Sequence, residues 1–337
     1  MISVSGKKWQ ENIVNKNFVK KIQQENNFSG ILSKLIVSRN FDENEIYSLK
    51  NNLKLTNIFQ NNCDFIRSIE ILIDAINKNE NVCILGDYDV DGSVATSLLV
   101  RFFENIDHPY FFYIPDREKD GYGPSKKLFK KLLIKKPKLI IMVDCGSTAI
   151  EAINFLNENN IKSIIIDHHE IYKPYPKANV IINPKKDNGY LKYDYFCATT
   201  LCYFFLEILI KKINCNIEIR KFLIYVLLAT VCDVMPLRKL NRIISITALN
   251  EFNIDNHFFL KELYKLENKR NKIDINDLGY LIGPILNSGG RLGKSNFATE
   301  LLSTNDNTII KKRTLDLISL NNKRKKIETI ILRSIDF

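Results

Sequence analysis

Cysteine pairs at metal-binding or redox spacing are missing from this chain of 337 residues: its seven cysteines, at 63, 83, 145, 197, 202, 215 and 232, include no Cys-x-x-Cys. That scatter excludes a thiolate zinc site. The odd count, with no apolar leader in Met1–Lys8, excludes a disulfide scaffold and reads as the reduced thiols of a cytoplasmic protein. Long apolar runs are missing too. The longest, Leu201–Ile210 and Phe222–Cys232, fall short of the roughly 18 residues that a membrane-spanning helix needs. No fixed period recurs, which excludes a solenoid. Acidic side chains are outnumbered, 38 against 49 Lys and Arg, for a formal net charge of +11. A basic surplus favours a polyanionic partner, although a composition rich in Lys, Asn and Ile also raises it with no partner in view.

Against that basic background stands one acidic knot. Asp87-Tyr88-Asp89-Val90-Asp91-Gly92 places three carboxylates within five residues, directly after the apolar run Val82–Gly86, which reads as a buried strand. Like charges so close cannot all stay ionised unaided, and divalent cations are the obvious remedy. About 80 residues on, Ser163–Ile166 is a second strand-like run and empties into Asp167-His168-His169-Glu170. Between the two, Leu139–Val143 ends in Asp144-Cys145-Gly146, and further on the apolar segment Phe222–Val231 ends in Asp233. Four apolar segments thus each deliver an acid or a histidine at the C-terminal end, read here as in phase with strand ends. In open parallel α/β sheets the ligand crevice lies outside those ends, so the four sets can converge.

Each signal has a plain alternative. A single Asp after a strand is commonly a helix N-cap, and Asp91-Gly92-Ser93 before Val94–Phe103 could be only that. A lone His-His pair is more often a hydrogen-bonded pair than a ligand set. The joint pattern carries the argument, because independent caps have no reason to fall in one phase. Hard oxygen donors with one or two imidazoles suit manganese or magnesium. Cys145 is read as filling space beside Asp144.

Along the chain, residues 1–65 are polar and helical in pattern, with Ile31, Leu32, Leu35 and Ile36 as an apolar stripe read as core packing. Residues 66–240 alternate strand and helix, the signature of an α/β fold with a doubly wound, mostly parallel sheet. Residues 241–337 turn helical and charged, ending in Lys311-Lys312-Arg313 and Lys323-Arg324-Lys325-Lys326. Two Gly-rich segments read as loops: Pro115–Gly123, which carries Arg117, and Gly283–Gly293, which carries Asn287 and Arg291. Either alone is a turn with a surface arginine; beside a metal cluster they look like phosphate clamps.

The order Asp-Tyr-Asp-Val-Asp-Gly, Pro-Asp-Arg-x3-Gly-Tyr-Gly, Val-Asp-Cys-Gly, Asp-His-His, Val-Cys-Asp-Val-Met-Pro-Leu and Gly-Pro-x-Leu-Asn-x3-Arg-Leu resembles the DHH phosphoesterase superfamily. Within it, the order resembles the RecJ family of bacterial single-strand-specific exonucleases. The Arg117–Gly123 and Gly283–Leu292 motifs are the more specific ones. The resemblance implies that Asp87, Asp89, Asp91, Asp144, His168 and Asp233 surround two Mn2+ or Mg2+ ions. It implies that His169 faces the scissile phosphate, with Arg117, Asn287 and Arg291 near the nucleic-acid backbone. The activity implied is two-metal hydrolysis of single-stranded DNA from the 5′ end, releasing 5′ mononucleotides in DNA repair and recombination, with Asp144, His168 and His169 as catalytic groups.

The chain departs from the family pattern at Leu85, where some relatives carry a metal-binding His, and at Ile285, where many carry Arg. Relatives also continue into a domain with a Gly-Gly-His motif and an OB-type fold. Here the expectation is a catalytic domain with part of a connector helix, the remainder either lost or supplied by a separate polypeptide. Two other functions fit the same residues: a hydrolase of short oligonucleotides or cyclic dinucleotides, and a non-catalytic DNA-binding scaffold. The intact charge cluster argues against the second.

Overall fold

The structure is a computed structural model that describes residues 2–4, 6–8, 10, 12–51, 53–121, 123–186, 191–270 and 272–335. Its contacts divide the chain into two units, Met1–Lys54 and Leu55–Phe337. The first holds three short helices, α1 (Lys16–Asn26), α2 (Gly30–Ser38) and α3 (Glu43–Lys50). Each begins where a side chain takes up free N-terminal amides: Asn15 for α1, Ser29 for α2, and an Asp42–Glu45 capping box for α3. Ile22, Ile36 and Ile46 meet in its core. The expected apolar stripe is only half right. Ile36 is buried and Leu32 partly so, but Ile31 and Leu35 are exposed, because a nine-residue helix buries one narrow face and positions one residue earlier on each turn rotate off it.

The second unit opens with α4 (Cys63–Asn77) and then alternates: β1 (Val82–Leu85), α5 (Val90–Asn105), β2 (Tyr110–Tyr113), α6 (Lys126–Leu132), β3 (Leu139–Val143), α7 (Ile150–Glu158), β4 (Lys162–Ile166) and β5 (Val180–Ile182). All four strand pairings are parallel, in the order β2-β1-β3-β4-β5. The strands are Val/Ile-rich because both faces are covered. Ile84, Ile141 and Ile164 join the core that contains α5, whereas Leu85, Ile140, Met142 and Ile165 join a second core with α6 and α7. The α/β reading, with a doubly wound parallel sheet, is therefore correct. The chain leaves β1 to one side for β2 and then crosses to the other for β3, so the C-terminal ends of β1 and β3 flank a topological switch point, where such sheets open a crevice.

Helices follow: α8 (Ala198–Lys212), α9 (Leu223–Cys232), α10 (Lys239–Asn250), α11 (Phe258–Leu266), a π-helical turn Asp277–Ile282, α12 (Gly283–Arg291), α13 (Phe297–Ser303) and α14 (Asn307–Ile335). Two expectations need correcting here. The apolar run ending in Asp233 is helix α9, not a strand; it is buried nearly all round, and a continuous apolar run carries no period to separate the two. The Gly283–Gly293 segment is not a loop either. Pro284 sits in the first turn of α12, Ile285 and Leu286 face the core, and Ser288 Oγ donates to Leu317 O at 3.0 Å. No helix among the described residues is long and apolar enough to cross a membrane.

Candidate metal centre

The site is assembled at the switch point. β1 hands the chain to Asp87 and to Asp89, which caps α5 by accepting from Gly92 N at 3.0 Å. The helix thus begins at Val90, earlier than expected, and Asp89 rather than Asp91 is its cap. Asp91 lies in the first turn with both oxygens engaged: Oδ2 accepts from Ala198 N at 2.7 Å and Oδ1 from Thr199 N at 2.8 Å. These are free donors at the N-terminus of α8, so Asp91 ties α5 to α8 and sets its charge against that helix dipole. Asp144 follows β3 in a left-handed conformation (φ 60°), with its amide donating to Ile166 O at 2.9 Å. His168 and His169 follow β4, and Asp233 caps the C-terminus of α9. Next to it Val234 also has positive φ (56°), a strained state for a β-branched residue.

These side chains converge. His168 Nε2 lies 3.3 Å from Asp144 Oδ1, 3.5 Å from Asp233 Oδ2 and 3.6 Å from Asp91 Oδ2. Three groups each place one ligand atom per residue within 4.8 Å of the others: Asp87, Asp89 and Asp144; Asp144, His168 and His169; and Asp91, His168 and Asp233. Asp144 and His168 each belong to two of them. Both oxygens of Asp144, both ring nitrogens of His168 and Oδ2 of Asp233 are buried without a hydrogen-bond partner. Buried polar atoms are rarely left so, and five together in one pocket fit divalent cations held by hard oxygens and imidazole.

The electrostatics agree. Burial and neighbouring carboxylates push Asp87 and Asp233 up to about 7, raise Asp89, and raise Asp144 well above the usual carboxylate range. Burial lowers His168. His169 behaves oppositely: the hydrogen bond from its Nδ1 to Asp167 Oδ1, at 2.8 Å, lifts it to about 9. Burial would raise Asp167, but its bonds with His169 and Ser147 outweigh that and hold it at about 2.

Asp167 is the residue that the sequence reading named but left without a role. One oxygen accepts from the amides of His168 (2.8 Å) and His169 (3.2 Å) as well as the His169 ring, and the other from Ser147 N at 3.0 Å. It shapes the turn that carries both histidines. Buried Asn183, after β5, was not singled out at all. Its Nδ2 donates to Ser147 Oγ (2.7 Å) and His169 O (2.9 Å), locking the β3 and β4 loops together. An Asn-Pro directly after a short apolar strand was the only signal for it.

The expected phosphate-binding residues sit at the rim. Arg117 and Arg291 are both exposed. The Arg117 guanidinium lies 5.8 Å from the Tyr88 ring centroid, and Arg291 follows Gly290, whose backbone abuts the same tyrosine. Asn287 has a structural contact instead: its Oδ1 accepts from Val90 N at 3.0 Å, supporting the start of α5. Tyr122, part of the Pro115–Gly123 motif, lies outside the described residues. Leu85 and Ile285, the two departures from the family pattern, are buried in apolar layers. Cys145 is buried, with Sγ 3.8 Å from Leu85 O, as a space-filling thiol would be.

The glycines of α12 serve close approach rather than anion binding. A Cβ at Gly290 would fall 2.6 Å from Tyr88 Cδ2 and 2.8 Å from Tyr88 O. Gly290→Ala should therefore destabilise the protein by about 1–3 kcal/mol through overpacking and weaken manganese binding by displacing Tyr88 between Asp87 and Asp89. Chemical unfolding and calorimetric titration check this, and a variant with unchanged stability and metal affinity would refute it.

Residues 81–230 match the family model described as DHH family, N-terminal domain. Over 330 residues the chain is 26% identical to the single-stranded-DNA-specific exonuclease RecJ of Bacillus subtilis (strain 168), covering 95% of this chain and 40% of that protein. It is 28% identical over 273 residues to the exonuclease of the same name from Haemophilus influenzae, covering 78% and 48%. The chain thus spans less than half the length of these relatives. Among solved structures it resembles RecJ in complex with Mn2+ from Thermus thermophilus, with a TM-score of 0.79 at 21% identity over 94% of this chain and 46% of that one. It also resembles exonuclease RecJ bound to manganese, with a TM-score of 0.73 at 24% identity over 84% and 70%. Sheet order, site motifs and these likenesses agree: residues 81–230 match the N-terminal domain of the DHH family, and the chain is RecJ-like across the part that it shares with those exonucleases.

Proposed function

We propose that this chain is a metal-dependent phosphodiester hydrolase, a RecJ-like exonuclease that removes 5′ mononucleotides from single-stranded DNA in repair and recombination in the cytoplasm. The observation that carries the reading is the sharing of Asp144 and His168 among three adjoining donor groups, the arrangement that two neighbouring Mn2+ or Mg2+ ions need. Asp87 and Asp89 would hold one ion and His168 and Asp233 the other, with Asp144 common to both and Asp91 positioned beside His168. Bound there, the ions would lower the pKa of water and neutralise phosphate charge.

The protein's own groups do the rest. Asp167 keeps the Nδ1 proton of His169 engaged, which leaves Nε2–H to donate to a phosphoryl oxygen as charge grows on it. Arg117 and Arg291 supply bidentate donors for the backbone at the rim. A strand with unstacked bases fits a site entered beside the half-buried Tyr88, flanked by arginines, better than a duplex does. Groups beyond the matched stretch, on a continuation of this chain or on a separate polypeptide, would complete the channel.

The test compares manganese-dependent cleavage of long 5′-phosphorylated single strands with that of dinucleotides. Preferential release of 5′ mononucleotides from the long strands is expected. Equal or better turnover of dinucleotides would replace the exonuclease reading with a small-phosphoester hydrolase, and no turnover of either would leave a scaffold.

A further inference from the structure

The basic surplus is not spread evenly. Residues 121–143 contain seven lysines, at 126, 127, 130, 131, 135, 136 and 138, and no acidic residue, so this short stretch carries +7 of the chain's +11 and leaves +4 for all the rest. Leu128, Phe129 and Leu132 fasten α6 to the sheet, so Lys126, Lys127, Lys130 and Lys131 fall on its outer face, and all seven lysines are exposed. Lys131 is paired with Asp120 at 2.7 Å, and Lys126 and Lys135 lie over the rings of Phe155 and Phe111. Among the described residues Lys127, Lys130, Lys136 and Lys138 have no acidic partner, and the neighbouring α7 offers only Glu151 and Glu158. A bland lysine-rich composition does not explain so local an asymmetry.

The stretch starts at the site. A cavity of about 170 Å3 is lined by Asp167 and His169 on one side and by Gly123 and Pro124 on the other, and Pro124 directly precedes Ser125, the N-cap of α6. From there α6 and the short turn and connection after it run back along the sheet to Lys138, whose amide bonds Asn81 O at the opposite, N-terminal edge of the strands. We propose that this lysine face is a docking track for the sugar-phosphate backbone of a single strand, which leaves the metal centre past Gly123 and Pro124 and follows α6 away from it. The proposal rests on the nuclease reading for its direction and on the charge distribution for its existence.

The test is fluorescence anisotropy of labelled oligothymidylate in EDTA across a salt series, with the parent and a Lys127→Gln, Lys130→Gln, Lys136→Gln variant. Losing three phosphate contacts should flatten the plot of log affinity against log salt by about 2 and weaken binding at least about tenfold at low salt. Lys127→Glu, Lys130→Glu, Lys136→Glu should weaken it further. A charge-matched control, Lys323→Gln, Lys325→Gln, Lys326→Gln, should stay near the parent. Unfolding midpoints equal to the parent's keep lost binding distinct from lost fold, with the mildest variant, Lys136→Gln alone, as the fallback. An unchanged slope, an equal loss in the control, or a parent that does not bind overturns the track. A parent that binds through these lysines yet fails to cleave with manganese overturns the nuclease reading and leaves the track standing.

Discussion

Asp144→Ala is expected to lower manganese-dependent hydrolysis by at least about a thousandfold, about 4 kcal/mol of transition-state stabilisation, and to remove most of the heat of manganese binding. The expectation follows from position. Asp144 is shared by two of the three donor groups, it is buried, and neither of its oxygens has another use. The same substitution should raise the unfolding temperature of the metal-free protein, since it deletes one of several like charges packed at the switch point. Opposite signs in the two measurements separate this account from misfolding, which would lower both. Normal turnover by the variant would remove Asp144 from the site.

Metal-free protein should be more stable near pH 5 than near pH 8, and manganese should narrow the difference. Asp87 and Asp233, at about 7, together with raised Asp89 and Asp144, bind more protons when folded than an ordinary carboxylate near 3.8 does when unfolded. Stability therefore falls as pH rises from about 4 through 7. His169 acts in the same direction at higher pH: its stabilisation is complete below its unfolded value of 6.5 and is lost as pH climbs through about 9. His168, lowered by burial, opposes the trend below 6.5 but is one group against several. Asp167 at about 2 contributes stability above 3.8 that disappears only in strong acid, outside the window. The metal-free difference should be about 5 °C or more in unfolding temperature. Manganese at about 100 times its dissociation constant should add about 2.7 kcal/mol at pH 8 and little at pH 5, where protons compete for its ligands. A metal-free midpoint that rises with pH would contradict the site's electrostatics.

Much of this was legible because the sheet announces itself locally. Parallel strands buried on both faces are written as Val/Ile runs, and each run's last residues reach the crevice, so the sequence alone points Asp87, Asp89, Asp144 and the two histidines toward it. What was not legible depends on partners distant in sequence. That Asp91 would be engaged by amides of residues 198 and 199, or Asn287 by the amide of Val90, is a property of packing that no local pattern encodes. Asp233 was found for an incomplete reason, since its apolar run is a helix that reaches the same crevice from another layer. The glycines of Gly283–Gly293 misled because a glycine that admits a neighbouring tyrosine and a glycine that exposes an amide look alike in one sequence. Asp167 was named with the two histidines but given no role, because its bond to the Ser147 amide, twenty residues away, is set by packing.

The bond between Asn287 and Val90, with Gly290 set against Tyr88, joins residues almost two hundred positions apart across the mouth of the crevice. The acidic knot of the first motif is consequently finished only when nearly the last motif docks. A ribosome emitting this chain releases every carboxylate of the centre well before the segment that clamps the first three in place, so the nascent domain waits with its ion-binding end unlatched, and assembly of the centre belongs to the slow, late phase expected of such distant pairings.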